Sequence, residues 1–376
     1  MHKVTKSAVE LRLAPSRFGE LPTLVPVFNS KYWPQIKNKR IKAFEAKIKE
    51  MNNINRFCIH IHVYYHEELE VILKELEESL DIINGIVITL PCNRAEIKDN
   101  VIELLNKHAK QASVKIIETE NIGRNIKPLL IDAWEFISKF NYCLHLHTKR
   151  TKGPGKDYGL RWLKAICECI ATRQQILASQ YFLEKDNEIG MILPAPFEGT
   201  SEHSLSWAGT GNLAYKMLIS YLNEFNLDNI SELEFYSRLL VFPVGGMMIF
   251  RVTALDKMHS WLSKNIEYLA IPEPLPIQTS LHAIERLFTL VMEESNYSWC
   301  IIDSNRGETK YLNSKDYLIS TKNDTIDLYT KVINSAILEG RPMIRQILQL
   351  ESKLRFRGKI KFLFHRLWWK INYILG

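Results

Sequence analysis

Residues 85–90, Gly85-Ile86-Val87-Ile88-Thr89-Leu90, form a short apolar run rich in β-branched side chains. Such a run suits a strand covered on both faces, the condition of a parallel strand in an α/β sheet. Its surroundings agree. Upstream, Glu67 to Leu80 puts Leu69, Ile72, Leu73, Leu76 and Leu80 on one helical face. Before that, Phe57-Cys58-Ile59-His60-Ile61-His62-Val63-Tyr64 alternates apolar and polar residues as a strand does. Downstream, the pattern predicts helix over 95–109, strand over 113–117, helix over 127–139 and strand over 142–147. Helices near 157–184, a strand at 189–193, a helix at 211–225, an apolar segment at 239–250, a helix near 278–293 and a strand at 298–302 follow. Strands alternating with helices make βαβ units, so the fold class is α/β with a mostly parallel central sheet. With no internal repeat and no long linker, residues 56–305 read as one domain. Residues 1–55 form an N-terminal arm with a short helix at 41–51, residues 306–352 a helical extension, and residues 353–376 a basic amphipathic helix.

The 376 residues exceed one typical domain, and 46% apolar with 24% charged residues is ordinary for a folded soluble protein. Sixteen Gly and 14 Pro exclude collagen-like architecture. No apolar run approaches the roughly 18 residues that span a bilayer, and no secretory signal follows Met1. The six Cys (58, 92, 143, 167, 169 and 300) contain no CxxC pair, which predicts buried free thiols in a reducing cytosol. Cys167 and Cys169, two apart on a helix, point to different sides.

The net charge of +7 is concentrated. Lys353, Arg355, Arg357, Lys359, Lys361, Arg366 and Lys370 follow the last acidic residue, Glu351, and account for the whole excess. Phe356, Ile360, Leu363, Phe364, Leu367, Trp368, Ile371 and Ile374 give the same tail an apolar stripe, with Trp369 beside it. Such a helix can lie in a membrane interface, its cations on anionic head groups. It can also dock on its own domain. A nucleic-acid arm fits less well, because the body has no basic face.

Four segments carry candidate chemistry. Glu120-Asn121-Ile122-Gly123-Arg124-Asn125-Ile126-Lys127-Pro128 follows a strand and opens a helix, with Pro128 in the first turn. Arg124 and Lys127 there oppose the helix dipole, a cost that a phosphate would offset; an ordinary capped loop is the alternative. In Tyr142-Cys143-Leu144-His145-Leu146-His147-Thr148-Lys149, His145, His147 and Lys149 face one way, with Cys143 and Leu146 at or near the other face. That cluster can bind a metal or a diphosphate, but no third metal ligand is assignable. On a helix, His282, Glu285 and Arg286 lie on one side and Leu281, Ile284, Leu287 and Phe288 on the buried side. The pair Gly245-Gly246 within Pro243-Val244-Gly245-Gly246-Met247-Met248 allows close backbone approach to a ligand, or a tight bend in a core strand.

Together these stretches, with Ile59-His60-Ile61-His62-Val63-Tyr64-Tyr65, resemble the rhamnan synthesis F family of bacterial polysaccharide glycosyltransferases, over roughly residues 56–300. The resemblance implies a GT-A-like, Rossmann-type domain that transfers a hexose, such as rhamnose or galactofuranose, with inversion. The donor would be a nucleotide-diphosphate sugar and the acceptor a growing lipid-linked O-antigen, capsule or rhamnan chain. Work would take place at the inner face of the cytoplasmic membrane, where other polysaccharide-synthesis enzymes are possible partners and nucleic acid is not. A more distant similarity to inverting GT-A enzymes implies an acidic Asp-x-Asp holding Mg²⁺ or Mn²⁺, but His145-Leu146-His147 stands in that place. The resemblance therefore assigns the diphosphate to fixed cations and N–H donors: Arg124, His145, His147 and Lys149, with Asn121, Gly123, Lys127, Gly245 and Gly246 around the donor. Glu285 becomes the base that deprotonates the acceptor hydroxyl, and His282 or Arg286 holds that carboxylate or contacts the diphosphate.

Two rivals remain. A metal-dependent hydrolase would use His145 and His147 with a further ligand such as His203, His259 or His282. A non-catalytic membrane-bound scaffold would keep the fold without the acidic metal motif.

Overall fold

The computed structural model describes residues 8–14, 23–50, 56–109, 113–148, 157–198, 200, 204–271, 279–305 and 308–315. A ribbon of β1 (Val9–Ala14) and β2 (Thr23–Phe28), paired antiparallel, precedes the two-residue strand β3 (Gln35–Ile36) and helix α1 (Asn38–Glu50). The alternating units follow: β4 (Phe57–His62), α2 (His66–Leu76), β5 (Gly85–Pro91), α3 (Ala95–His108), β6 (Val114–Thr119), α4 (Trp134–Ile137) and β7 (Tyr142–His147). Next come α5 (Tyr158–Ile170), α6 (Arg173–Lys185), β8 (Ile189–Pro194), α7 (Gly211–Glu224), α8 (Glu232–Ser237) and β9 (Met248–Arg251). Helices α9 (Asp256–Lys264) and α10 (Ser280–Glu293) and strands β10 (Ser298–Asn305) and β11 (Glu308–Asn313) complete the order.

The main sheet runs β3-β11-β10-β8-β9-β7-β4-β5-β6. Strands β6, β5, β4, β7, β8 and β10 share one direction, with β9 and β11 reversed, so the sheet is mostly parallel as expected. Each face carries its own apolar layer. Ile59, Ile61, Ile86, Ile88, Leu144 and Leu146 pack with α2, α3, α5 and α6 residues on one side. Cys58, Val87 and Cys143 pack with α7, α9 and α10 residues on the other. Burial on both faces explains why 85–91 lacks a polar alternation.

Four local expectations change. The sheet does not end at 302: β10 continues to Asn305 and turns back through β11, so residues 308–313 are strand rather than helix. Residues 35–50 are tied to the body, because Gln35 and Ile36 pair with β11 and α1 packs on α6. Within 239–250 only Met248–Arg251 is strand, since a glycine turn precedes it. The helix predicted at 127–139 is interrupted by a π turn, Pro128–Asp132, in which Ala133 N–H donates to the Pro128 carbonyl at 3.0 Å. Cys92 is exposed while the other five thiols are buried, and Cys167 and Cys169 are buried alike. No described helix is long and apolar enough to cross a membrane. The tail cations Arg355, Arg357, Lys359, Lys361, Arg366 and Lys370, with Trp368 and Trp369, lie outside the described residues, as does most of 306–352.

Candidate functional site

The chain winds from β4 through β5 to the edge strand β6, then returns to place β7 on the other side of β4. The carboxyl ends of β4 and β7 therefore flank a topological switch point, where open α/β sheets form their ligand crevice. The two strands are in register, with His60 opposite His145 and His62 opposite His147. Thr148 fastens their ends: its N–H donates to the His62 carbonyl at 3.0 Å, and its hydroxyl accepts from Tyr64 and Tyr65 N–H at 2.8 and 2.9 Å. Cys143 shares the histidine face, as its period of two requires, while Leu144 and Leu146 join the opposite layer.

Burial decides what these imidazoles can do. His60 and His145 are fully enclosed, and His62 and His147 keep 7% and 8% of their surface exposed. Loss of solvent holds His60 and His145 uncharged far below the ordinary histidine range, and repulsion from neighbouring histidines adds to it. The same desolvation brings His62 down to about 3. His60 Nδ1 lies 2.9 Å from His145 Nδ1, and its Nε2 lies 2.9 Å from Thr89 Oγ1. His62 Nδ1 approaches the same hydroxyl at 3.0 Å. His145 thus cannot act as a fixed cation on a diphosphate; it is a neutral interior group.

The loop after β6 brings the first segment to the same place. Gly123 has φ +73°, and a Cβ there would stand 2.4 Å from Lys127 Cβ, so the turn requires glycine. Arg124 follows at φ +50° with an exposed side chain. Asn125 Nδ2 lies 3.3 Å from His145 Nε2. Asn121 opens the turn and has no side-chain hydrogen bond among the described residues. Lys127 has a different role from the expected one: its ammonium is bound to Asp132 at 2.9 Å and lies 3.6 Å from Glu120. Carboxylates, not a phosphate, offset its unfavourable position at the helix start.

The glycine pair supplies the opposite wall. Gly246 N–H donates to the Pro243 carbonyl at 2.7 Å around Gly245 at φ +94°, the positive third-position φ of a type II turn. The tight bend is the alternative the structure shows, and it brings the backbone close to neighbouring side chains. A Cβ on Gly246 would lie 2.7 Å from Asn125 Nδ2 and 3.4 Å from His147 Nε2. His147 Nε2–H donates to the Gly245 carbonyl at 2.5 Å, and Gly245 N–H donates to Glu285 Oε1 at 3.2 Å. Gly245 therefore joins β7 to α10. The Glu285 side chain remains 23% exposed.

The other α10 residues serve the fold. His282 closes a capping box with Thr279. Arg286 was expected on the open side, yet it is buried: it donates to the carbonyls of Ser206 (2.6 Å) and His282 (2.9 Å) and stacks over Phe242. Its Nη1 lies 3.9 Å from Glu285 Oε2.

The structure thus brings together Asn125, His145, His147, Gly245, Gly246 and Glu285, with Arg124 on the adjoining turn. Lys149 lies outside the described residues. His60, His62 and Thr89 complete the cluster without having been singled out; the signal was the second His-x-His in a strand of the same pattern. A magnesium or manganese ion favours oxygen ligands, whereas the described strand ends offer imidazole nitrogens, most of them already hydrogen-bonded to protein. Among the described residues no group of three or more His, Cys, Asp or Glu side chains is arranged to hold a metal. The donor set of the described residues does not fit such an ion. Among the described residues no hydrolase ligand set forms there: His259 stacks on Trp134 and bonds the Leu130 carbonyl, and His282 is in the cap, while His203 lies outside the described residues.

A mostly parallel sheet wound both ways from a switch point that carries a polar cluster defines the class of α/β proteins in which ligand crevices form at the strand ends. The chain belongs to the rhamnan synthesis protein F family, whose model matches residues 30–297. That membership supports a glycosyltransferase role in polysaccharide biosynthesis. No curated protein matches the chain significantly. Among solved structures it is similar to a mannosyltransferase from Pyrobaculum calidifontis in complex with GDP-Man and Mn²⁺, at 11% identity and TM-score 0.36, covering 90% of this chain and 84% of that one. It is also similar to 4-diphosphocytidyl-2C-methyl-D-erythritol synthase from Anaerococcus prevotii, at 8% identity and TM-score 0.34, covering 70% and 96%. Superpositions this loose carry no chemistry across.

Proposed function

We propose that the protein is an inverting, GT-A-like hexosyltransferase that moves rhamnose, galactofuranose or a similar sugar from a nucleotide-diphosphate donor to a lipid-linked surface polysaccharide. The observation that carries this reading is the link from His147 through Gly245 to Glu285. It ties a partly exposed carboxylate to the end of β7, the strand that flanks the switch point. In the proposed step the acceptor hydroxyl oxygen bonds to the anomeric carbon as the bond from that carbon to the diphosphate oxygen breaks. Glu285 takes the hydroxyl proton, and the bonding pair leaves with the diphosphate. Arg124 and Lys149 supply positive charge to the leaving group, and N–H donors of the crevice supplement them. His145 and Lys127 leave that set, because one is a neutral interior group and the other is already paired. The basic tail would hold the enzyme on the inner membrane surface near its acceptor.

The test is a panel of sugar nucleotides with purified protein and a synthetic lipid-linked acceptor, repeated with Glu285→Gln. Turnover should fall about 10²- to 10⁴-fold in the variant, the range of a lost general base. Undiminished turnover would remove Glu285 from the mechanism. Binding of a sugar nucleotide without transfer to any acceptor would favour the scaffold instead.

A further inference from the structure

Five side chains make four successive contacts: Asn125 to His145 (3.3 Å), His145 to His60 (2.9 Å), His60 to Thr89 (2.9 Å) and Thr89 to His62 (3.0 Å). Each contact has room for one hydrogen between two heavy atoms. A neutral imidazole has one N–H and one lone pair, and a threonine hydroxyl has one hydrogen to give. The hydroxyl can accept twice, but Thr89 is fully buried and its Oγ1 has no partner among the described residues other than His60 and His62. Its own hydrogen must therefore go to whichever of these rings presents a lone pair. The direction of one contact then fixes the others. Asn125 turns its amide nitrogen, which can only donate, toward His145 Nε2. His145 must then carry its hydrogen on Nδ1 and give it to His60 Nδ1. His60 in turn carries its hydrogen on Nε2 and gives it to Thr89, whose hydroxyl gives its own to His62 Nδ1. His62 is left with its hydrogen on Nε2.

That last atom differs from the rest. His62 ends β4 at the switch point and keeps some exposed surface, whereas His60 and His145 keep none. Among the described residues Nε2 of His62 has no hydrogen-bond partner. We propose that Asn125, His145, His60 and Thr89 form a one-way hydrogen-bond chain that fixes the His62 hydrogen on Nε2, and that this N–H donates to an anionic diphosphate oxygen in the crevice. The second half rests on the donor-binding reading above; the first does not. A preset neutral donor has its hydrogen in place before the ligand arrives, so the site needs no reorganisation to receive negative charge.

Nitrogen-15 imaging of the imidazole tautomers by NMR, on the full chain near neutral pH, tests the chain without any ligand. The expected pattern is Nδ1–H on His145 and Nε2–H on both His60 and His62. The opposite pattern, or a mixture, overturns the chain. Thr89→Val should leave His145 unchanged while His62 loses its single tautomer. Asn125→Ala should loosen all three rings, although His62 lies four contacts away. A His62 signal indifferent to both variants likewise overturns the proposal, and Thr89→Val, close in shape, guards against loss of folding in Asn125→Ala. The donor role is tested by calorimetric binding of inorganic pyrophosphate. His62→Phe should weaken it about tenfold or more, as expected for a lost hydrogen bond to a charged group. His62→Gln, which can place an amide N–H near the same point, should restore most of it. Equal affinity in wild type and His62→Phe overturns the donor role. If wild type itself does not bind pyrophosphate or any sugar nucleotide, the functional reading fails, while the NMR result still decides the chain.

Discussion

Strands β4 and β7 are near copies: Phe57-Cys58-Ile59-His60-Ile61-His62 beside Tyr142-Cys143-Leu144-His145-Leu146-His147, aligned residue for residue. The copies agree in the interior and part at the end. His60 and His145 meet as a stacked pair, ring centroids 4.9 Å apart and planes 15° from parallel. Two residues on, His62 turns to the hydroxyl of Thr89 on β5, while His147 turns to the carbonyl of Gly245 ahead of β9. The repeat fixes which face a histidine takes and how deep it lies. The strand on its far side fixes its chemistry: a parallel neighbour with a hydroxyl for one, a glycine turn into an antiparallel neighbour for the other.

The largest expected effect tests the part the copies share, a buried neutral cluster. His60, His62 and His145 all have pKa values depressed by burial, so the unfolded chain binds protons more readily than the folded one. Stability is then fully present above the unfolded value near 6.5 and falls as pH drops below it, continuing toward about 3 for His62. Between pH 6.5 and 5.5 the three groups together should cost about 3 kcal/mol. Urea midpoints across that range would measure it. A flat profile would mean that the cluster is charged or open in solution, and the two strands would lose their common feature.

A smaller effect isolates the β7 end. Gly246→Ala sets a Cβ against Asn125 and the His147 ring at φ +77°. Backbone strain and crowding should cost about 2 kcal/mol. The same variant should displace Asn125 and His147 and, through Asn125, release the His62 tautomer as Asn125→Ala should. A stability change near zero would show that the turn has slack, and that the glycines answer to something other than close approach.

Much of this arrangement is legible from local pattern. Alternation in 57–64 and 142–147, with the β-branched run at 85–90, suffices to mark three strands of a parallel sheet, though not which of them are neighbours. The resemblance to a family then draws Gly123, Gly245 and Glu285 into one site, while Asn125 enters it only through its contact with His145. Pairing is what no local pattern states. Lys127 looks like a ligand cation until Asp132, five residues on, is turned back to it by a π turn. Arg286 looks exposed until the carbonyls of residues 204–206 are folded over it. Likewise His145 reads as a cation because burial is a property of the whole sheet. Residue type sets what a group can do; desolvation and the nearest partner, both long-range, decide what it does.

The smallest effect tests whether the two strands are coupled at the point where they still agree. His60→Phe strands His145 Nδ1 without a partner, and His145→Phe does the same to His60 Nδ1. Each single variant should cost about 2 kcal/mol, mainly the penalty of an unmatched buried polar atom. The double variant replaces the contact with two stacked apolar rings of similar shape, so the orphaned group disappears. It should therefore cost less than the sum of the singles, with a coupling of about 1 kcal/mol. Additive losses would mean that the rings touch without sharing a hydrogen. The resemblance between β4 and β7 would then be one of packing alone, and any difference between His62 and His147 would have to arise entirely from their outer neighbours.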